Sequence, residues 1–180
     1  MTIADEGCRA LLINGGGGAG KSTIAATIGR LLTKDNRPTG VVDLDALSQF
    51  GPAPADEPGF HDRLRLRNLA AVWTTYRAAG ARFMVVSGIM ETAALRSAYA
   101  DCLAGCDVRM VRLETPRELV EERTRGTVRG PNWDLQEALA QSARLPRLED
   151  FSVANDRPLD EVATEVLVVA GWISAARTEG

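Results

Sequence analysis

The segment that most limits what this chain can become is Leu11-Leu12-Ile13-Asn14-Gly15-Gly16-Gly17-Gly18-Ala19-Gly20-Lys21-Ser22-Thr23. Gly15, four residues, then Gly20-Lys21-Ser22 is the spacing of a phosphate-binding loop. In such a loop glycine amides cradle phosphate oxygens, a lysine reaches the β- and γ-phosphates and a hydroxyl holds Mg²⁺. Gly15, Gly17 and Gly20 also satisfy the Gly-x-Gly-x-x-Gly dinucleotide fingerprint, but that site has no use for a lysine and a hydroxyl after its last glycine. An apolar run ending at Asn14 predicts a buried strand, and the apolar spacing from Ser22 to Leu32 predicts a helix. The loop therefore joins a strand to a helix N-terminus, where free amides and the helix dipole favour an anion. Gly15, Gly16, Gly17, Gly18, Ala19, Gly20, Lys21, Ser22 and Thr23 are the expected nucleotide-binding residues.

The remaining pattern alternates strand and helix. Strands are predicted over 9–14, 41–45, 82–87, 108–113 and 151–154, and helices over 21–34, 61–79, 91–103, 116–125, 134–143 and 158–175. Pro116 is expected at the first helical position. The near-continuous apolar run Arg82-Phe83-Met84-Val85-Val86-Ser87 is the mark of a parallel strand buried on both faces. This alternation implies right-handed crossovers, an α/β fold with an open parallel sheet and helices on both faces, and ligands at the carboxyl ends of the strands. With 180 residues, one domain over 1–180 is expected.

Composition narrows the partners. A net charge of -3 supplies no general basic field for nucleic acid. No run approaches the roughly 18 apolar residues of a membrane span. The acidic start, Met1 to Glu6, lacks a signal peptide's basic flank, so a cytoplasmic location is expected. Cys8, Cys102 and Cys106 come without zinc-site spacing and read as buried free thiols.

Chemistry is assigned from residue type and place. A magnesium ion at an anionic loop wants a carboxylate nearby, yet the Arg82 strand ends in Ser87-Gly88. Asp43 and Asp45, ending the neighbouring strand, are the candidates, and residues two apart on a strand share a face. Asp45, nearer the carboxyl edge, is the expected base for a hydroxyl attacking the γ-phosphate, while Asp43 joins Ser22 at the metal. Arg123, Arg125 and Arg129 lie in a turn-rich segment, 123–133, suited to a short closing lid. Arg123 is expected on the nucleotide, Arg125 and Arg129 on the charge that develops in phosphoryl transfer. Arg63, Arg65 and Arg67 read as a solvated face, and His61 as a surface residue. Trp73, Trp133 and Trp172 read as packing groups.

Together, Gly15 to Thr23, Asp43-Leu44-Asp45-Ala46-Leu47, Pro116 to Arg129 and the closing Asn155 to Leu167 resemble the small phosphate-loop kinases: chloramphenicol phosphotransferase, gluconate kinase and adenylylsulfate kinase. Asp45-Ala46-Leu47 occupies the place of the proton-accepting aspartate of the first. Leu95-Arg96-Ser97-Ala98-Tyr99 is similar to the gluconate kinase segment after its third strand. The resemblance implies a three-layer P-loop NTPase fold with a five-stranded parallel sheet, ATP with Mg²⁺, an arginine-bearing lid and an adenine-contacting loop around 153–157. The implied activity is transfer of the γ-phosphate to a hydroxyl of a small molecule, a metabolite or an antibiotic. The alternative is a P-loop ATPase or nucleotide-sensing switch acting on a protein partner. The acceptor, the choice between ATP and GTP, and whether the chain is a monomer or a homodimer stay open at this point.

Overall fold

A computed structural model describes residues 7–125 and 134–174. Five strands, β1 (Cys8–Asn14), β2 (Thr39–Asp43), β3 (Phe83–Ser87), β4 (Cys106–Glu114) and β5 (Phe151–Ala154), form one sheet in the order β2-β3-β1-β4-β5. Every pairing is parallel. β1 lies in the middle, and its Leu11, Leu12 and Ile13 are wholly buried, which is why its sequence shows no polar alternation.

Successive residues of a strand point to opposite faces, and the two halves of the core follow that rule. Leu11, Ile13, Val85 and Val111 pack against α1 (Lys21–Lys34) and α6 (Leu159–Val169), through Ile24, Ile28, Leu32, Val162 and Val166. Ala10, Leu12, Met84, Val86 and Met110 pack against α2 (Phe60–Ala78) and α3 (Ala93–Cys102), through Leu69, Trp73 and Tyr99. The result is a three-layer α/β arrangement. Two further helices, α4 (Arg117–Thr124) and α5 (Leu135–Arg144), follow β4. Trp73 and Trp172 are core residues, as expected, while Trp133 lies outside the described residues.

Several expected boundaries move, some of them for a visible physical reason. β2 begins at Thr39 and stops at Asp43, two residues short of Asp45. Asp43 Oδ1 accepts a hydrogen bond from the Asp45 amide at 2.9 Å, and this aspartate-centred turn diverts the chain into a short 3-10 turn at Ala46–Ser48. The closing helix ends at Val169 rather than at residue 175, because Gly171 adopts φ 71° and the Trp172 amide turns back onto the Leu167 carbonyl. Pro116 caps α4 from outside instead of occupying its first turn. Among the described residues no helix is long and apolar enough to cross a membrane.

Candidate active site

The loop predicted to hold phosphate runs from the end of β1 to the start of α1, at the carboxyl edge of the central strand. Gly20 caps α1 with φ 85°, a left-handed conformation that suits glycine. A β-carbon there would also lie 2.7 Å from Asn155 Nδ2. That amide donates to the Ala19 carbonyl at 2.8 Å, and the Thr115 hydroxyl reaches the same oxygen at 3.0 Å. Asn14, wholly buried, exchanges two hydrogen bonds with the backbone of Met90. The loop is thus fixed from β5, from the end of β4 and from the segment after β3. Lys21 Nζ donates to the Gly16 carbonyl at 2.9 Å, so the lysine lies along the loop it is expected to serve.

Ser22 Oγ donates to Asp43 Oδ2 at 2.5 Å, and Ser87 Oγ donates to the same carboxylate oxygen at 3.0 Å. The serine that ends β3 therefore supports the acid that ends β2. Burial alone pushes the Asp43 carboxyl upward. Hydrogen bonds from Ser22, the Asp45 amide, Ser87 and the Ala46 amide outweigh that and hold it below the ordinary 3.8. An anionic carboxylate beside a serine hydroxyl is an oxygen donor set suited to a hard divalent cation that keeps waters and phosphate oxygens as its other ligands. Among the described residues no group of three or more His, Cys, Asp or Glu is placed to hold a metal by itself.

Asp45 does not share a strand face with Asp43, contrary to the expectation. It sits beyond the turn with its side chain 75% exposed, and Arg65 Nη2 meets Asp45 Oδ1 at 3.0 Å. Both aspartates nevertheless line one cleft of about 530 Å³, together with Gly18, Gly20, Lys21 and Ser22. Arg65 is not the solvated residue expected: it also bonds the Leu44 carbonyl, Ser48 Oγ and Asp62. Alternate arginines on a helix do diverge. Arg63 pairs with Glu57, and Arg67 is exposed. His61 is exposed, with Nε2 3.1 Å from the Phe50 carbonyl.

The far wall of the cleft comes from α5, through Asp134, Glu137, Ala138 and Gln141. A β-carbon at Gly16 would overlap the Ser142 side chain, so α5 lies directly against the loop. Gln141 Nε2 donates to Glu91 Oε1 at 2.9 Å, joining α5 to the segment after β3. The α5 residues escaped the sequence reading. Asp134-x-x-Glu137 signals a helix start, and Asp134 does accept the Glu137 amide at 2.7 Å, but a cap says nothing about what the helix covers.

A second cavity, of about 500 Å³, opens on the other flank and shares Gly18, Gly20 and Thr23 with the cleft. Arg123, Asn155, Arg157 and Pro158 line it, so the segment expected to contact adenine stands beside the loop. Arg125 ends α4, exposed, and lines neither cavity. Arg129 and most of the expected lid lie outside the described residues.

Residues 10–145 match the family model of the CobQ/CobB/MinD/ParA nucleotide binding domain. Among solved structures, the APS kinase of Mycobacterium tuberculosis in complex with AMPPNP and APS is similar, with a TM-score of 0.60 and 23% identity over 92% of this chain and 98% of that one. The tunicamycin resistance protein of Deinococcus radiodurans gives 0.64 and 20% over 92% and 97%. A gluconokinase from Sinorhizobium meliloti 1021 gives 0.58 and 21% over 91% of each chain. No curated protein sequence matches significantly. At these identities the likeness is one of fold, and the fold is the P-loop NTPase fold shared by small-molecule kinases, in line with the resemblance seen in the sequence.

Proposed function

We propose that this chain, which belongs to the CobQ/CobB/MinD/ParA nucleotide binding domain family, moves the γ-phosphate of ATP onto a hydroxyl of a small molecule. The observation that carries the reading is the single cleft in which the phosphate loop faces both Asp43 and Asp45. The kinase folds reported above support it.

Each residue then has a role. Loop amides and the N-terminus of α1 receive the phosphates, with Lys21 on the β/γ oxygens. Ser22 and Asp43 are the residues that would hold Mg²⁺, which when bound neutralises charge on those oxygens. The triphosphate crosses from the flank cavity to the cleft at the shared Gly18, Gly20 and Thr23, with Arg123 on the nucleotide side. Asp45 accepts the proton of the attacking hydroxyl, held in orientation by Arg65. Catalysis is positioning and charge stabilisation around a loose transition state.

The second reading, a P-loop ATPase or switch acting on a protein, draws on the family itself. It needs a group to orient water, and the nearest acid after β3, Glu91, is engaged by Gln141. One assay separates the two: γ-labelled ATP, Mg²⁺ and a pooled library of hydroxyl compounds. Label on a small organic acceptor is expected; label released only as free phosphate overturns the phosphotransferase reading.

A further inference from the structure

We propose that the acceptor is a hydroxyl compound bearing a protonated amine, an amino alcohol or amino sugar, and not a hydroxy acid. The proposal rests on the phosphotransferase reading above and concerns the same cleft.

The charge on the cleft walls is one-sided. Among the described residues lining it Lys21 is the only basic one, and it belongs to the loop. With magnesium nucleotide bound, Lys21 would be engaged by phosphate and Ser22 and Asp43 by the metal. What remains towards an acceptor is Asp45 on one wall and Asp134 and Glu137 on the other, with the uncharged Gln141 and Ile89. Asp134 is partly balanced by the helix N-terminus it caps, so Asp45 and Glu137 dominate.

An acidic acceptor needs an available guanidinium or ammonium. Among the described residues Arg65 is the arginine next to the cleft, and its charge is already met by two carboxylates, Asp62 and Asp45, while its Nε–H is shared between the Leu44 carbonyl and Ser48. Arg144 pairs with Glu137 at 2.8 Å, yet it lies outside the lining of the cleft, and both side chains are well exposed. A carboxylate or sulfate brought here would meet acids on both walls, where like charges in juxtaposition are disfavoured. An ammonium would share Glu137 with, or take it from, the exposed Arg144 while a hydroxyl of the same molecule reaches Asp45.

The reaction balances as a simple transfer. The acceptor oxygen bonds to the γ-phosphorus as the bond from that phosphorus to the β,γ-bridging oxygen breaks. ADP leaves with the bond electrons, and the hydroxyl proton passes to Asp45 and then to water.

The test uses the full chain, γ-labelled ATP and Mg²⁺ with three separate pools: amino sugars and amino alcohols, neutral sugars and nucleosides, and sugar acids with other hydroxy acids. Label is expected in the amine pool, at least about tenfold above the neutral pool. Label in the acid pool, or equal label in the neutral and amine pools, overturns the acceptor class while leaving the phosphotransferase reading intact. Label in no pool ends both. A second measurement uses Glu137→Lys, at an exposed position that tolerates the change. The KM for the labelled amine should rise about tenfold, with the KM for ATP within about twofold of the parent. An unchanged amine KM overturns the proposal.

Discussion

The phosphate loop is held differently on its two flanks. Towards β4 and β5 it is fastened by buried groups: Asn155 is 0% exposed and shares the Ala19 carbonyl with Thr115. Towards β2 and α5 the cleft walls that face the loop carry exposed or half-exposed pairs, Asp45 with Arg65 and Glu137 with Arg144. Buried hydrogen bonds are costly to break because the groups they leave behind have no water to turn to, whereas exposed ion pairs are screened and cheaply rearranged. The flank proposed for the nucleotide is therefore the costlier one to disturb, and the flank proposed for the acceptor is a wall whose charge can vary without disturbing the fold. Substitutions on the two flanks should therefore fail in different ways.

The largest expected effect is on the acceptor side and on chemistry alone. Asp45→Asn keeps shape at an exposed turn but removes the proton acceptor, so phosphoryl transfer should fall by about 10²–10⁴-fold. Nucleotide affinity, read by calorimetry with Mg²⁺ and a non-hydrolysable ATP analogue, should stay within about twofold. Unchanged transfer would remove Asp45 from the mechanism. On the opposite flank, Asn155→Ala should cost stability first. It deletes the bond to Ala19, but it also deletes Oδ1, which has no partner among the described residues, so the loss should stay near 1–2 kcal/mol. At about 2–4 °C per kcal/mol for a chain of this size, the melting temperature should drop by several degrees, and nucleotide affinity should weaken with it. A variant that melts like the parent would show that the clamp contributes nothing.

Asp43 stands between the two flanks and gives a pH test. Its carboxyl is held below the ordinary value in the folded chain, so the folded state binds its proton more weakly than the unfolded one. The stabilisation from Ser22, Ser87 and the turn amides is fully present above the unfolded value. It is lost as pH falls through the lower folded value. Unfolding by urea across the acid range should show parent and Asp43→Asn diverging at neutral pH and converging at low pH. A difference that does not change with pH would mean that the carboxylate is not the species the two serines stabilise.

Much of this was legible in the sequence, for a physical reason. The loop, β1 and α1 follow from contiguous residues, and the alternation of strand and helix makes a parallel sheet almost the only compact outcome. What was not legible depends on contacts between distant segments. The pairing of Ser87 with Asp43 crosses 44 residues, and that of Gln141 with Glu91 crosses 50. Nothing local in Arg65 distinguishes it from Arg63 and Arg67. Its role comes from the turn that Asp43 imposes, which carries Asp45 away from the strand and towards α2. The strand reading placed Asp45 on the face of Asp43 because alternation is the default for an extended chain. The aspartate side chain itself ended that extension by bonding the amide two residues on.

The smallest expected effect sharpens the contrast most. Arg144→Ala breaks a pair whose side chains are 69% and 72% exposed, so the stability change should lie below about 0.5 kcal/mol, a shift of only a degree or two in melting. On the buried flank, loss of a single partner should cost several times more. In the cleft, however, Arg144 partly neutralises Glu137, and its removal leaves that carboxylate free to face an acceptor. If the acceptor is an amine, its KM should fall by about two- to threefold, with the effect shrinking as salt is raised, because exposed charges are screened within about 8–10 Å at ordinary ionic strength. A fall in KM without a change in melting would place the acceptor beside Glu137 and show that this wall tunes recognition independently of the fold. An amine KM that rises instead would mean that Arg144 itself contacts the acceptor.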